Sequence, residues 1–233
     1  MSRTGLCIAL GIGAVVGVVF GVFPRLDLAI SGLFYDPATH DFRINALLWV
    51  RQSRAAARTI VALIVAPACL ALLGKLLLPR RSMFVKTRVA LFLVLTLVVG
   101  PGLITNSLFK EHWGRARPID VTQFGGTDRF TAWWDPRGDC PGNCSFIAGE
   151  PAGAFWTLAP AALAPPQWRA LAYAAAVVFG SGVGALRIAG GGHFFTDVVF
   201  AGVIMYLLIW VAYGAVYRWW PERKGGETET PGE

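Results

Sequence analysis

Long apolar stretches alternate with short polar segments along most of this chain. Six of these stretches run for about 20 residues with almost no charge, and a helix that rises about 1.5 Å per residue needs that length to cross about 30 Å of hydrocarbon. Each is predicted to be a helix, because backbone groups cannot stay unpaired in lipid. The predicted spans are residues 5–23, 58–78, 88–108, 146–164, 169–187 and 194–217. The pattern therefore predicts an all-α, polytopic membrane helix bundle with about six transmembrane helices.

The segments between and beyond these spans differ in character. Residues 24–57 form a long connection, and its amphipathic, aromatic-rich piece Leu26–Tyr35 is expected to lie at the membrane interface. The first span lacks a small-residue cleavage site and is followed at once by charged residues, so we expect an uncleaved signal anchor. Residues 1–220 are predicted to form a single integral-membrane domain, followed by a polar, disordered tail at 221–233.

Composition supports the membrane prediction. Hydrophobic residues make up 55% of the chain and charged residues 15%, and the mean hydropathy is +0.54. These values argue against a soluble protein. The net charge of +7 would suit a nucleic-acid partner, but the basic residues lie between apolar spans instead of forming a solvated basic domain. No nucleic-acid partner is therefore expected.

A cluster of basic residues in one short connection predicts the orientation in the membrane. The cluster comprises Lys75, Arg80, Arg81, Lys86 and Arg88. Short connections rich in Lys and Arg stay in the cytoplasm, and an even number of spans returns both termini to that side. Residues 24–57, 109–145 and 188–193 then lie on the opposite, outer face. That face also carries many basic residues, although outer segments usually have few. Their presence there needs a separate explanation.

Three polar patches interrupt the apolar pattern, and all of them fall at helix ends on the outer face. In the first patch, Lys110 and Arg117 are seven residues apart and would share one helical face. Two cations there can clamp a phosphate group, Arg117 through its bidentate guanidinium and Lys110 as a point charge. His112 and Arg115, in the same patch, either touch a substrate or belong to a solvated loop.

The second patch opens the fourth predicted span with Gly149 and Glu150. Backbone N–H groups at that point can turn toward an anion. An ionised carboxyl group at the start of an apolar helix is costly, so the pKa of Glu150 is expected to be raised. A protonated carboxyl group can donate a proton to a leaving alkoxide. The other interpretation is a glutamate that pairs with Arg117 or Arg187.

The third patch contains Arg187, three glycines, His193 and Asp197. His193 and Asp197 are four residues apart at the start of the sixth span, so they face the same way and can form a hydrogen bond. An aspartate that holds one ring nitrogen leaves the other nitrogen free to attack, as in other nucleophile sites. This pattern predicts a histidine nucleophile.

With these residues, the sequence resembles the type-2 phosphatidic acid phosphatases, which share a phosphatase site with the vanadium haloperoxidases. The family signature is Lys-x6-Arg-Pro, Pro-Ser-Gly-His and Ser-Arg-x5-His-x3-Asp. The matching positions are Lys110, Arg117 and Pro118, then Gly149, then Arg187, His193 and Asp197. Three departures stand out, because Leu186 and Ala148 replace serines of the signature and Glu150 replaces its first histidine.

The resemblance implies a mechanism for each matched residue. His193 would attack phosphorus and form a phosphohistidine intermediate, steadied by Asp197, while Glu150 would inherit the role of proton donor. The phosphate would be bound by Lys110, Arg117, Arg187 and Gly149. The resemblance implies no metal and no other cofactor, because cationic side chains do the work that Mg²⁺ does in other phosphoryl-transfer enzymes.

The implied partners are a phosphorylated membrane lipid and the bilayer. Residues 133–150 look most similar to bacterial phosphatases of the lipid A type, so the expected substrate is lipid A or another bacterial lipid phosphate or diphosphate. The expected location is the bacterial inner membrane, with the site facing the periplasm and both termini in the cytoplasm. Two alternatives stay open: a scaffold or transporter that kept the fold without the activity, and a phosphotransferase with a lipid acceptor. No oligomeric state is predicted.

Cys140 and Cys144 lie in the outer connection, in the sequence Asp-Cys-Pro-Gly-Asn-Cys. Their spacing suits either a short disulfide in an oxidising compartment or two free thiols. The second pair of ligands expected of a zinc site is missing.

Overall fold

The computed structural model describes residues 1–44 and 46–219, and nearly all regular structure in these ranges is helical. The helices are α1 (Arg3–Val22), α2 (Arg25–Gly32), α3 (Leu48–Leu77), α4 (Thr87–Leu97), α5 (Lys110–His112), α6 (Gly149–Phe155), α7 (Leu158–Ala162), α8 (Pro166–Ala189) and α9 (Phe195–Tyr217). A π-helical segment, Val98–Phe109, joins α4 to α5, and short 3-10 turns follow at Pro118–Asp120 and Thr122–Phe124. The strands β1 (Tyr35–Asp36) and β2 (Asp41–Phe42) pair in antiparallel fashion.

Five helical segments of the described chain are long and apolar enough to cross a membrane. They are α1, α3, the continuous helix Thr87–His112, α8 and α9. Large apolar side chains such as Val15, Leu63 and Val178 are exposed on their outer surfaces, where the bundle would meet lipid instead of water. The predicted all-α membrane bundle is therefore confirmed. The predicted tail at 221–233 lies outside the described residues.

The fourth predicted span consists of two short helices, α6 and α7, instead of one long helix. Pro160 interrupts the helix, because proline has no N–H to donate to the carbonyl of Trp156. That carbonyl instead accepts a hydrogen bond from the N–H of Ala159 at 2.8 Å. Both short helices are mostly buried and pack along α8. The segment thus runs back beside α8 as an internal, broken helix.

Helix α3 begins ten residues earlier than the apolar pattern predicted, at Leu48 instead of residue 58. The added turns contain Arg51 and Arg54, and Arg58 follows them. These charges hid the helical start from a search for apolar stretches. A helix of 30 residues is about 45 Å long, which exceeds the hydrocarbon thickness by about 15 Å. The first turns of α3 therefore have room to stand outside the hydrocarbon.

Helix α8 packs against its neighbours through glycines that leave no space for a side chain. The ring of Phe155 in α6 lies against Gly180, and the side chain of Val198 in α9 lies against Gly184. Small residues of this kind let helices approach closely in a membrane. The packing matters for function, because α8 ends and α9 begins beside the third polar patch.

We expect Gly180→Ala to lower the melting temperature of the detergent-solubilised protein, because the added methyl group would overlap the Phe155 ring. Overpacking a filled core typically costs about 1–3 kcal/mol. Gly182→Ala, on the same helix, is the matched control, because a methyl group there meets no atom within 4 Å. Thermal unfolding should rank Gly182→Ala at or above the unchanged protein and Gly180→Ala below it. Equal melting temperatures for the two variants would contradict this packing.

Candidate active site

The three polar patches meet at one end of the bundle. Arg187 lies near the end of α8, His193 lies in the turn that follows, and Asp197 lies in the first turn of α9. The start of α6 adjoins the first patch, since a Cβ atom on Gly149 would lie 3.1 Å from Nζ of Lys110. Residues that are far apart in the sequence therefore line one site.

His193 is buried, and a backbone carbonyl sets the orientation of its ring. Nδ1 of His193 lies 2.8 Å from the carbonyl oxygen of Ser145. Because a carbonyl only accepts, Nδ1 carries the proton and Nε2 keeps a free lone pair. The sequence predicted that Asp197 would hold this nitrogen directly, but Oδ2 of Asp197 is 3.8 Å from Nδ1, too far for a hydrogen bond.

Ser145 links His193 to Asp197, and the sequence did not predict its role. Its hydroxyl group donates to Oδ2 of Asp197 at 2.5 Å, and the N–H of Phe194 donates to the same oxygen at 2.8 Å. Asp197 therefore acts on the imidazole through its charge and through the serine that it holds. A lone serine next to a cysteine carried no signal by which it could have been found.

Burial and neighbouring charges keep the ring of His193 neutral. Burial has the largest effect and lowers the pKa of His193 to about 4, helped by the positive charges of Arg187 and Lys110 and opposed by Asp197. A nucleophilic imidazole must be unprotonated at the attacking nitrogen. Near neutral pH, the Nε2 lone pair is therefore available.

Arg115 is completely buried behind this pair and joins two carboxylates. Its guanidinium group contacts Asp197 on one side and lies 2.8 Å from Oδ2 of Asp27, in α2, on the other. Thr196 closes the network, since its hydroxyl group accepts from Arg115 at 2.8 Å and donates to Asp27 at 2.6 Å. The two interpretations of Arg115 drawn from the sequence, a substrate contact and a residue of a solvated loop, do not fit this position. Arg115 instead fixes the position of Asp197. In the sequence, the only sign of a role for Asp27 was that a carboxylate lies in the amphipathic segment Leu26–Tyr35.

Lys110 and Arg117 converge on one loop residue. Nζ of Lys110 donates to Oδ1 of Asn143 at 3.1 Å, and Nη2 of Arg117 donates to the same atom at 2.8 Å. Arg117 also donates to the carbonyl oxygen of Asn143 at 2.6 Å. Two cations that meet at one oxygen can bind a phosphate oxygen in the same way. The predicted shared helical face is wrong, because the helix ends at His112 and the backbone of Arg117 is extended. The loop instead brings the two cations together at Asn143.

The guanidinium group of Arg187 is buried with a donor unused. Nε of Arg187 has no hydrogen-bond partner among the described residues. The backbone of Gly192 lies so close to this guanidinium group that any side chain at 192 would overlap it. A buried donor without a partner is costly. Nε lies 3.8 Å from Oε2 of Glu150, and the positive charge of Arg187 acts on His193, so an oxygen of a bound ligand can complete the hydrogen bonding of this group.

Glu150 is surrounded by guanidinium groups, and the expected rise of its pKa is wrong. Arg54 donates to both carboxylate oxygens, at 2.8 and 2.9 Å, Arg58 donates to Oε1 at 3.1 Å, and Nε of Arg187 lies 3.8 Å from Oε2. Burial alone would raise the pKa of Glu150, but the Arg54 hydrogen bonds and the charges of the arginines outweigh it and lower the pKa. Glu150 is a carboxylate near neutral pH and lacks the proton that an acid catalyst needs.

The loop that carries Ser145 is fastened to the first patch. Cys140 and Cys144 form a disulfide, with their Cα atoms 5.8 Å apart. The N–H of Cys144 donates to the carbonyl oxygen of Lys110 at 2.9 Å, and the N–H of Ser145 donates to that of Arg115 at 2.7 Å. These contacts hold the carbonyl group of Ser145 against the histidine ring.

Comparisons with known proteins point to the same region. A family model of the PAP2 superfamily matches residues 87–221, which include all three patches. A protein named lipid A 4'-phosphatase from Francisella tularensis subsp. novicida (strain U112) is 35% identical over 94% of this chain and 98% of its own length. Another protein of that name, from Rhizobium leguminosarum, is 35% identical over 57% of this chain and 56% of its own length. No solved structure matches.

We expect Arg115→Gln to destabilise the protein by about 3–5 kcal/mol, because removing one partner of a buried ion pair leaves the other charge uncompensated. Adding Asp27→Asn to Arg115→Gln should recover part of the loss, since one of the two stranded carboxylates becomes neutral. The coupling between the two changes should be about 0.5–3 kcal/mol in thermal unfolding of the solubilised protein. Strictly additive effects would show that the network is not a unit.

Proposed function

The chain belongs to the PAP2 superfamily, and from that premise we propose that it is a membrane lipid phosphatase with His193 as its nucleophile. The observation that carries the proposal is the state of the imidazole ring. Nδ1 of His193 donates to the carbonyl oxygen of Ser145, so Nε2 is unprotonated. The unused donor of Arg187 and the paired cations of the first patch supply binding groups for a phosphate beside it.

The proposed reaction is a hydrolysis in two steps. The phosphate group of the lipid binds to Lys110, Arg117 and Arg187. Nε2 of His193 then forms a bond to phosphorus while the bond between phosphorus and the lipid oxygen breaks. In the second step, water attacks phosphorus, the N–P bond breaks and inorganic phosphate leaves. Positioning and charge stabilisation provide most of the acceleration in such transfers.

Asp197 has its largest effect when the N–P bond forms. At that moment the ring of His193 gains positive charge while Nδ1 still carries its proton, and the nearby carboxylate stabilises that charge. Ser145 and Arg115 keep the carboxylate in place. Asp197 is thus an electrostatic partner in this proposal instead of a direct hydrogen-bond partner.

Glu150 holds a cluster of arginines in this proposal. As a carboxylate it binds Arg54 and Arg58 beside Arg187, and it has no proton to give. The departing lipid oxygen therefore takes its proton from water. This assignment replaces the acid role that the resemblance implied for position 150.

The proposed substrate is lipid A or a related bacterial lipid phosphate, and the proposed location is the bacterial inner membrane with the site facing the periplasm. Two relatives named lipid A 4'-phosphatase support the substrate. The N-terminal turns of α3 contact the site, whereas its C-terminal end leads to the basic connection predicted to be cytoplasmic. A disulfide in the outer connection suits an oxidising compartment.

We expect His193→Asn to lower the release of phosphate from lipid A by roughly 10³-fold or more, because an amide cannot accept the phosphoryl group. Purified protein in lipid–detergent micelles would be given a panel of lipid phosphates, and inorganic phosphate would be measured. Arg137→Gln is the control and should keep normal turnover, since that arginine is 79% exposed and pairs only with Asp135 among the described carboxylates.

The same assay separates the possible failures. Full activity of His193→Asn would overturn the assignment of the nucleophile. No phosphate release from any lipid by the unchanged protein would overturn the phosphatase proposal and favour a scaffold. Transfer of phosphate to an added lipid, without release to water, would favour the phosphotransferase.

The protonation state of His193 can be measured directly. Because the folded pKa is lowered to about 4, the ring should stay neutral as the pH falls through ~6.5, the ordinary value for histidine, and charge only near pH 4. The chain has three histidines, so the signal lost in His193→Asn identifies the ring in an NMR titration of isotope-labelled protein. A titration midpoint near the ordinary value would contradict the buried, neutral imidazole.

A further inference from the structure

Three arginines in the first turns of α3 lie beside the site without binding the scissile phosphate in the proposed reaction. Arg51, Arg54 and Arg58 are spaced by three and four residues and share one face of the helix. A cavity of about 280 Å³ contacts Arg58, Lys110 and Glu150. A second cavity, of about 430 Å³, contacts all three arginines. The helix face formed by these three residues is called the arginine face. Because Arg58 lines both cavities, the arginine face continues directly from the active site.

The helix itself gives no reason for these cations. Positive charges are unfavourable near the N-terminus of a helix, and α3 has no acidic residue in its first turn to balance them. Arg54 and Arg58 are four residues apart, and like charges at that spacing repel each other. The outer face of a membrane protein is also the side on which basic residues are usually scarce. The cluster therefore needs an anion.

Glu150 supplies part of that anion but not all of it. Its one carboxylate accepts hydrogen bonds from Arg54 and Arg58, while Arg51 is exposed and forms no ion pair with any described residue. Three arginines of α3 against one carboxylate, which Arg187 also faces at 3.8 Å, leave at least two positive charges unbalanced. A phosphate monoester carries a charge of about −1.5 to −2 at neutral pH. The excess thus matches one further phosphate group.

The arginine face also has a suitable depth and length. The α3 helix has 30 residues, which is about 15 Å longer than the hydrocarbon is thick, so its first turns reach the level of the lipid headgroups. Arg51 lies seven residues before Arg58, roughly 10 Å along the helix axis. Arg58 lines the same cavity as Lys110, so this length begins beside the groups that would bind the scissile phosphate. One molecule can therefore place one phosphate at Lys110 and another along α3.

We propose that Arg51, Arg54 and Arg58 form a second anion subsite, which binds a phosphate group of the lipid headgroup other than the one that is removed. The inference rests on the proposed function, because it assumes that a lipid phosphate occupies the site of His193. The subsite selects substrates with two phosphates on one headgroup. Glu150 keeps Arg54 and Arg58 extended toward the cavity in the absence of that group.

The test compares a disaccharide lipid that carries a phosphate at each end with the same lipid lacking the phosphate distal to the scissile one. Phosphate release by the full-length protein in mixed micelles gives kcat/KM for each lipid, and their ratio measures the selectivity. Arg51→Gln and Arg58→Gln should each lower this ratio about ten-fold, through a higher KM for the two-phosphate lipid. Arg137→Gln, an exposed arginine outside the cavities, should leave the ratio unchanged.

Each other outcome has a distinct meaning. An equal loss on both lipids, or no loss on either, would overturn the subsite. If the ratio collapses when an uncharged host lipid is replaced by phosphatidylglycerol, the arginines bind bulk headgroups and the proposed selectivity is wrong. If the unchanged protein releases phosphate from neither lipid, the phosphatase proposal fails. Direct binding of the two lipids to His193→Asn protein then still decides the subsite, which predicts about ten-fold tighter binding of the two-phosphate lipid.

Discussion

One buried arginine holds the active-site end of the bundle together. Arg115 is completely buried and lies between Asp27 of α2 and Asp197 of α9, two residues near opposite ends of the chain. Removing three charged groups from water has a large desolvation cost, which is offset only when each donor and acceptor is satisfied. The short interfacial helix, the first polar patch and the start of α9 must therefore dock in one arrangement.

The chemistry depends on that arrangement through a short chain of contacts. Asp197, held by Arg115, accepts from the hydroxyl group of Ser145, and the carbonyl group of the same serine accepts from Nδ1 of His193. Each of these hydrogen bonds restricts the next side chain in the series to a single orientation. The free Nε2 of the histidine is thus a consequence of tertiary packing and of a low-dielectric interior, where a second orientation would leave a buried polar group unpaired.

The membrane decides where such charges can lie. A charge at the centre of a spanning helix is costly, so the charged groups of this site lie at helix ends. One such place is the start of α3, which extends beyond the hydrocarbon, and another is the glycine-rich turn between α8 and α9. The arginines around Glu150 show the same effect, because a carboxylate close to the hydrocarbon is stable as an ion only when cations surround it. A proton donor at position 150 would need surroundings without these cations, which would raise the pKa of the carboxyl group.

The sequence by itself determined the helical membrane class and five of the long apolar helices, because apolar length is a local property. The meeting of Lys110 and Arg117 depends on the turn after His112 and on Asn143, so helical spacing did not determine it. The sequence pattern missed the polar start of α3, because a search for apolar stretches ignores charged turns. Only the tertiary structure decided the partner of His193 and the charge of Glu150. Those depend on neighbours such as Ser145, which is 48 positions from His193, and Arg54, which is 96 positions from Glu150. A pKa or a hydrogen bond is set by whichever groups packing brings within a few ångströms, and neighbours in the sequence alone do not specify them.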